Sequence, residues 1–173
     1  NTSGTGILFS VSRSFNTGEE KMRKIITLLL LLVPSLVLAS AWSSVRKGVE
    51  KFEKEKYGEA LESFRNAEMD DPDSPIIHYN LASALYKEKK YDKALEEYNK
   101  AVEMATGDEL LAKIYYGMGN AYFQNDSLLR AIDAYKKSLE YEPDDEDAKY
   151  NLELARALVK ELAEKKKLSL IHI

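Results

Sequence analysis

The chain has 173 residues, of which 31% are charged, and its formal net charge is −4. Eight glycines and four prolines are too few for a disordered, low-complexity chain, and the acidic balance argues against a nucleic-acid binder, which needs a basic face. The absence of cysteine excludes disulfides, thiolate metal ligands and a cysteine nucleophile.

The segment 22–41 has the features of a secretory signal peptide. Two basic residues follow Met22, an apolar run extends over 25–38, and 39–41 spell a small-x-small cleavage signal. The run is shorter than the roughly 20 residues that a spanning helix needs, and Pro34 interrupts it. We interpret 22–41 as a cleaved signal peptide that directs export to the periplasm, with an uncleaved N-terminal anchor as the alternative.

The two ends of the chain, 1–21 and 168–173, are not expected to belong to the folded domain. Residues 1–21 precede the first methionine and are interpreted as translated upstream sequence. Residues 168–173 follow three lysines and break the helical pattern. We interpret them as read-through into a sequencing adapter, with a native apolar tail as the alternative, and give His172 no role.

Between these ends one pattern recurs three times, in 57–67, 91–101 and 128–138. The copies start 34 and then 37 residues apart, which indicates stacked helical repeats. Helices approach closely only where small residues face each other. Repeat positions are counted from residues 41, 75 and 112. Small side chains recur in phase at positions 8, 20 and 27, and a large ring at position 24: Gly48, Ala82, Gly119; Ala60, Ala94, Ala131; Ala67, Ala101, Ser138; and Phe64, Tyr98, Tyr135.

The period and these residues resemble the tetratricopeptide repeat. The resemblance implies an all-α fold, a superhelix of three helix-turn-helix repeats plus a C-terminal capping helix. The repeats are expected over 42–74, a degenerate copy, then 75–108, and 109–145 with a short insertion. The capping helix is expected over 146–167, with acidic residues at its N-terminus, where negative charge is favoured.

Family experience places certain positions of each first helix on a concave surface where a partner peptide lies. We call this surface the groove. Asparagine can donate to and accept from an extended peptide backbone, and tyrosine offers a large contact area with a polar tip; the alternative is that some tyrosines fill the packing between repeats. The predicted groove consists of Tyr79, Asn80, Ser83, Tyr86, Lys87, Lys113, Tyr116, Asn120, Phe123, Gln124, Tyr150 and Asn151.

A carboxylate clamp, by which cochaperones of this family hold a C-terminal peptide, is not expected. The five clamp positions are occupied here by Val45, Val49, Asn80, Lys113 and Gly117. Only Asn80 and Lys113 are residues that the clamp requires. No catalytic constellation, cofactor motif or metal-ligand spacing is recognisable either. His78 is expected to be a core histidine with satisfied hydrogen bonds.

The export signal and the compact run of repeats also resemble the tetratricopeptide proteins of bacterial Bat (aerotolerance) operons. That resemblance implies a non-catalytic, periplasmic scaffold with a protein or peptide partner, such as a membrane-anchored von Willebrand A domain protein. In line with the acidic net charge, no nucleic-acid partner is expected, and contact with the membrane is expected only through the signal or anchor segment or through the partner. Two alternatives stay open, a self-stacking structural subunit and an accessory factor of a cell-envelope assembly enzyme.

Overall fold

The computed structural model describes the backbone of residues 5–171 and the side chains of 19–28 and 39–168. The chain forms two compact units, Asn1–Ser40 and Ala41–Ile173. The described backbone contains seven α-helices and no strand. The helices are α1 (Thr5–Glu53), α2 (Tyr57–Asp70), α3 (Pro75–Lys87), α4 (Tyr91–Met104), α5 (Asp108–Gln124), α6 (Leu128–Tyr141) and α7 (Glu146–Ile171).

The helices extend beyond the predicted repeats at both ends. Helix α1 runs from Thr5 to Glu53 and passes through Pro34; a proline removes one backbone hydrogen bond, while the residues around it can keep theirs. Helix α7 continues beyond 167 to Ile171, since no glycine or proline follows the lysines. The predicted upstream segment 1–21 and the apolar run 25–38 lie partly outside the described residues, as does His172.

No helix among the described residues, which leave out the side chains of 29–38, is long and apolar enough to cross a membrane.

From residue 41 onward the helices form the predicted antiparallel pairs, and the turn within each pair has the same geometry. Glu55, Lys89 and Asp126 adopt φ values of 60°, 60° and 55°, the left-handed region. The next residue's amide then bonds a carbonyl five residues back, as Lys90 N does to Leu85 O at 2.9 Å. This is the Schellman pattern that ends a helix and satisfies its last carbonyls.

The core is built where small residues face large ones, as the repeat pattern predicts. The alanines at positions 20 and 27 are fully buried, and the rings at position 24 are no more than 3% exposed. Ser138, which replaces alanine, is also buried and donates its hydroxyl to Ala112 O at 2.9 Å, so no polar atom is left unsatisfied there. The pattern of small and large residues therefore determines how closely the helices pack.

Helix α7 covers the last repeat, as expected for a capping helix. Leu152 and Ala155 are buried against Ile132 and Tyr135 of α6. Asp145 provides the N-cap, since its Oδ1 accepts a hydrogen bond from Ala148 N at 3.0 Å. The polar residues Glu153, Lys160 and Glu161 face solvent. A solenoid needs such a helix with a polar outer face to close its open end.

Candidate partner-binding groove

The structure places the predicted groove residues on α3, α5 and α7. Most are half-buried, which leaves part of each side chain accessible. Lys87, Lys113, Gln124 and Tyr150 are exposed, and Tyr150 keeps 70% of its surface accessible. Because the two lysines are the only charged residues in the set, the groove is mainly aromatic and neutral.

Repeats two and three share an arrangement of two tyrosines and a polar residue. In repeat two, the ring of Tyr79 lies 6.2 Å from that of Tyr98, whose hydroxyl is 3.3 Å from Ser83 Oγ.

Repeat three has the same arrangement with Tyr116 and Tyr135, whose rings are 6.1 Å apart. Tyr135 donates its hydroxyl to Asn120 Oδ1 at 2.8 Å. Tyr79, Tyr116, Ser83 and Asn120 were predicted to bind a partner, and all four also support this internal packing.

Repeat one replaces this arrangement with apolar residues. Its large ring is Phe64, which has no hydroxyl, and the residues equivalent to Tyr79 and Ser83 are Val45 and Val49. Val45 is buried, whereas Val49 is 37% exposed. A phenylalanine needs no hydrogen-bond partner, so the polar residue at position 9 can be lost together with the hydroxyl.

Asn151 connects the capping helix to repeat three. Its Nδ2 donates to Tyr116 Oη at 3.1 Å and to Asn120 Oδ1 at 3.3 Å. Asn120 Oδ1 thus accepts from both Tyr135 and Asn151. Asn120 therefore offers a partner its amide hydrogens rather than the combined donor and acceptor expected from the sequence.

Asn80 differs from Asn120 and Asn151, the other two asparagines of the groove, in its hydrogen bonding. It occupies position 6 of its repeat, as Asn151 does in the capping helix. Asn151 bonds Tyr116 and Asn120, and the equivalent residues in the repeat before Asn80 are Val45 and Val49. The side chains of these valines cannot form hydrogen bonds. Asn80 is half-buried, and its side chain forms no hydrogen bond with the described residues. Both its donor and its acceptor are therefore available.

Gly117 has a packing role that the sequence did not reveal. A Cβ atom built at Gly117 would lie 2.4 Å from Tyr98 Oη and 2.5 Å from Tyr98 Cζ. The glycine thus makes room for the tyrosine of the preceding repeat. An arginine, which a carboxylate clamp would require here, would collide with that ring.

Burial affects the ionisation of one groove tyrosine, Tyr86, and of two core tyrosines that pack against groove residues, Tyr98 and Tyr135. It raises the pKa of Tyr98, of Tyr135 and of the half-buried Tyr86, because an ionised phenolate would lose its hydration. The pKa of Lys113 is raised by its hydrogen bond to Glu109, so part of the positive charge at the groove is already balanced. The hydroxyls of Tyr86, Tyr98 and Tyr135 are therefore neutral at physiological pH.

Comparison with protein families is consistent with the helix pairs. A family model described as "Tetratricopeptide repeat" matches residues 73–141, and one described as "TPR repeat" matches 48–89. A solved structure, the first such domain of human RPAP3, is 30% identical, with a TM-score of 0.64. The match covers 74% of this chain and 96% of that domain. The chain belongs to the tetratricopeptide repeat family.

Two further structures of this family are similar to the chain. The first repeat domain of Spaghetti (RPAP3) bound to the HSP90 peptide SRMEEVD is 28% identical, with a TM-score of 0.67 over 71% of this chain and 95% of that one. The Sgt2 domain of Aspergillus fumigatus is 23% identical, with a TM-score of 0.66 over 72% and 82%, and shows the fold. No curated protein sequence gives a significant match. Tetratricopeptide domains are protein-interaction modules that bind peptides and are typically non-catalytic.

Proposed function

We propose that this protein is a non-catalytic scaffold of the bacterial periplasm that binds an extended segment of a protein partner in the groove. The observation that carries the proposal is Asn80, which is half-buried at the groove and whose side chain forms no hydrogen bond with the described residues, so that its donor and its acceptor are free. An extended backbone supplies one complementary acceptor and one donor per residue. Tyr79 and Tyr86, on the same helix, supply contact area beside it.

The partner segment differs in chemistry from the peptides bound by the similar structures. The peptides in the RPAP3 structures are the HSP90 peptide SRMEEVD and the HSP70 peptide SGPTIEEVD, and both end in the acidic sequence EEVD. Here valines occupy two clamp positions, and Tyr98 fills the space beside Gly117 that an arginine would need. We therefore propose that this groove takes an internal, neutral segment rather than a C-terminal carboxylate.

The cellular setting follows from the N-terminal segment and from the resemblance to Bat-operon proteins. The segment 22–41 directs export, and a membrane-anchored von Willebrand A domain protein is the proposed partner. The membrane is reached through that partner, or through the N-terminal segment where it is retained as an anchor. The groove requires no cofactor for this role.

Binding should depend on Asn80 and only weakly on salt. Asn80→Ala should weaken binding about 5- to 150-fold, the equivalent of about 1–3 kcal/mol for a partner group left unsatisfied. Asn66→Ala is the matched control, since Asn66 is an exposed asparagine of α2 outside the groove. With two lysines in the groove, ionic strength should matter little.

The test is recovery of a von Willebrand A domain protein from solubilised envelope by the wild-type chain and both variants. Equal recovery by Asn80→Ala and wild type would contradict the proposed groove. A labelled SRMEEVD peptide should show no saturable binding, and saturable binding would contradict the assignment of an internal segment. Tyr116→Ala with Asn120→Ala is a poorer test, because it also breaks the hydrogen bonds to Asn151 and Tyr135.

A further inference from the structure

Three metal-ligand side chains converge outside the groove, one from each of three helices. Glu68 lies near the end of α2, His78 in α3 and Glu97 in α4, and one ligand atom of each lies within 4.8 Å of the others. His78 Nδ1 is 2.7 Å from Glu97 Oε2 and 3.9 Å from Glu68 Oε1. They are the one such group among the described residues.

The backbone fixes the orientation of the His78 ring. Its Nε2 donates to Pro72 O at 2.8 Å, and the residue is 2% exposed. Nδ1 then points at carboxylate oxygens, which are acceptors. Nδ1 and these oxygens are all atoms that can bind a metal ion, and they lie close enough together to share one. A histidine held by a backbone carbonyl through its other nitrogen is the usual arrangement behind a metal ligand.

The donor set selects the kind of metal. One imidazole nitrogen and two carboxylate oxygens, completed by water, suit Zn²⁺, which forms bonds of about 2.0–2.2 Å to these atoms. Lys100 Nζ binds Glu97 Oε1 at 2.8 Å and leaves Oε2 facing His78. Glu68, whose side chain is 31% exposed, has room to move the short distance that such bonds require.

We propose that Glu68, His78 and Glu97 form a Zn²⁺ site that links repeat one to repeat two. The ligands come together only when the two repeats are packed, so Zn²⁺ binds the folded state and stabilises it by mass action. The site is independent of partner binding in the groove.

Calorimetric titration of the full chain with ZnCl₂, alongside thermal unfolding, tests the site. We expect one Zn²⁺ per chain and a melting temperature that rises with Zn²⁺ but not with Mg²⁺, which prefers all-oxygen ligands. Glu68→Gln and His78→Phe should each weaken binding at least about tenfold. His78→Phe keeps an aromatic ring at the buried position, and Glu68, whose side chain is 31% exposed, lies outside the core and can be replaced without disturbing it.

Two control variants separate this site from adventitious binding. Glu96→Gln changes the exposed neighbour of Glu97, and His172→Gln removes the other histidine; both should bind Zn²⁺ as the wild type does. The visible spectrum of bound Co²⁺ should indicate four-coordination in the wild type and be lost in Glu68→Gln. Absence of binding by the wild type, or unchanged binding by Glu68→Gln and His78→Phe, would overturn the proposal. Asn80→Ala should leave Zn²⁺ binding unchanged.

Discussion

Replacing Gly119 by alanine should destabilise the protein, although the same change in most helices stabilises it. Gly119 lies inside α5, where alanine is normally preferred by about 0.5–1 kcal/mol. Here a Cβ atom would lie 2.4 Å from Tyr135 Cε1 and 2.5 Å from Cδ1. The ring of Tyr135 is 1% exposed and cannot simply move into solvent.

The loss of stability is the cost of the close contact with Tyr135 minus the gain in helix propensity. Overpacking of a well-packed core costs about 1–3 kcal/mol, and the gain in helix propensity offsets part of that. The net loss should be up to about 2.5 kcal/mol, which for a chain of this size lowers the melting temperature by up to about 10 °C. The same argument applies to Gly48 against Phe64 and to Gly117 against Tyr98, where the distances are equally short.

Gly58→Ala is the matched control for this prediction. Gly58 is also helical, but its nearest neighbour is Glu88 Oε1 at 3.3 Å, the far end of a flexible side chain. Gly58→Ala should therefore leave stability unchanged or raise it slightly. Thermal and urea unfolding followed by circular dichroism measure both variants. If Gly119→Ala is as stable as Gly58→Ala, then Tyr135 is not held against Gly119 in the way described.

Two further predictions concern alkaline stability and export. Burial raises the pKa of Tyr98 and Tyr135. Above about pH 10 the unfolded chain therefore loses these two protons while the folded chain keeps them. The free energy of unfolding then falls by about 1.4 kcal/mol per pH unit for each tyrosine. The variant with both tyrosines changed to phenylalanine should lose stability less steeply in urea unfolding between pH 10 and 12, and an unchanged slope would refute the role given to burial. For export, N-terminal sequencing of protein from an envelope fraction should begin at Trp42, whereas a mature chain that still carries Met22 would favour the anchor.

The sequence by itself determined the repeat architecture, because that depends on which residue types recur at a fixed period. Small residues at positions 8, 20 and 27 and a large ring at position 24 can be recognised without coordinates, and each lies in the core. The acidic start of the capping helix is readable in the same way, and Asp145 does cap it. Periodicity reports which face of a helix is buried, and that face decides the fold.

The tertiary structure decided which groove side chains are free and which are held. Asn80 and Asn151 look alike in the sequence, yet Asn151 meets Tyr116 and Asn120 while Asn80 faces a repeat with valines at the equivalent positions. A single repeat position cannot show this difference, because a hydrogen bond depends on the residues that a neighbouring helix supplies.

Close contacts between helices were likewise beyond the sequence. Gly117 counted there only as a mismatch to the clamp, whereas the structure shows it accommodating Tyr98 of the preceding repeat. The approach of Glu68 and Glu97 to His78 joins residues that are 10 and 19 positions from the histidine and lie on three helices. The stacking of the helices brings these side chains together, because tertiary packing rather than local sequence spacing decides which atoms come within bonding distance.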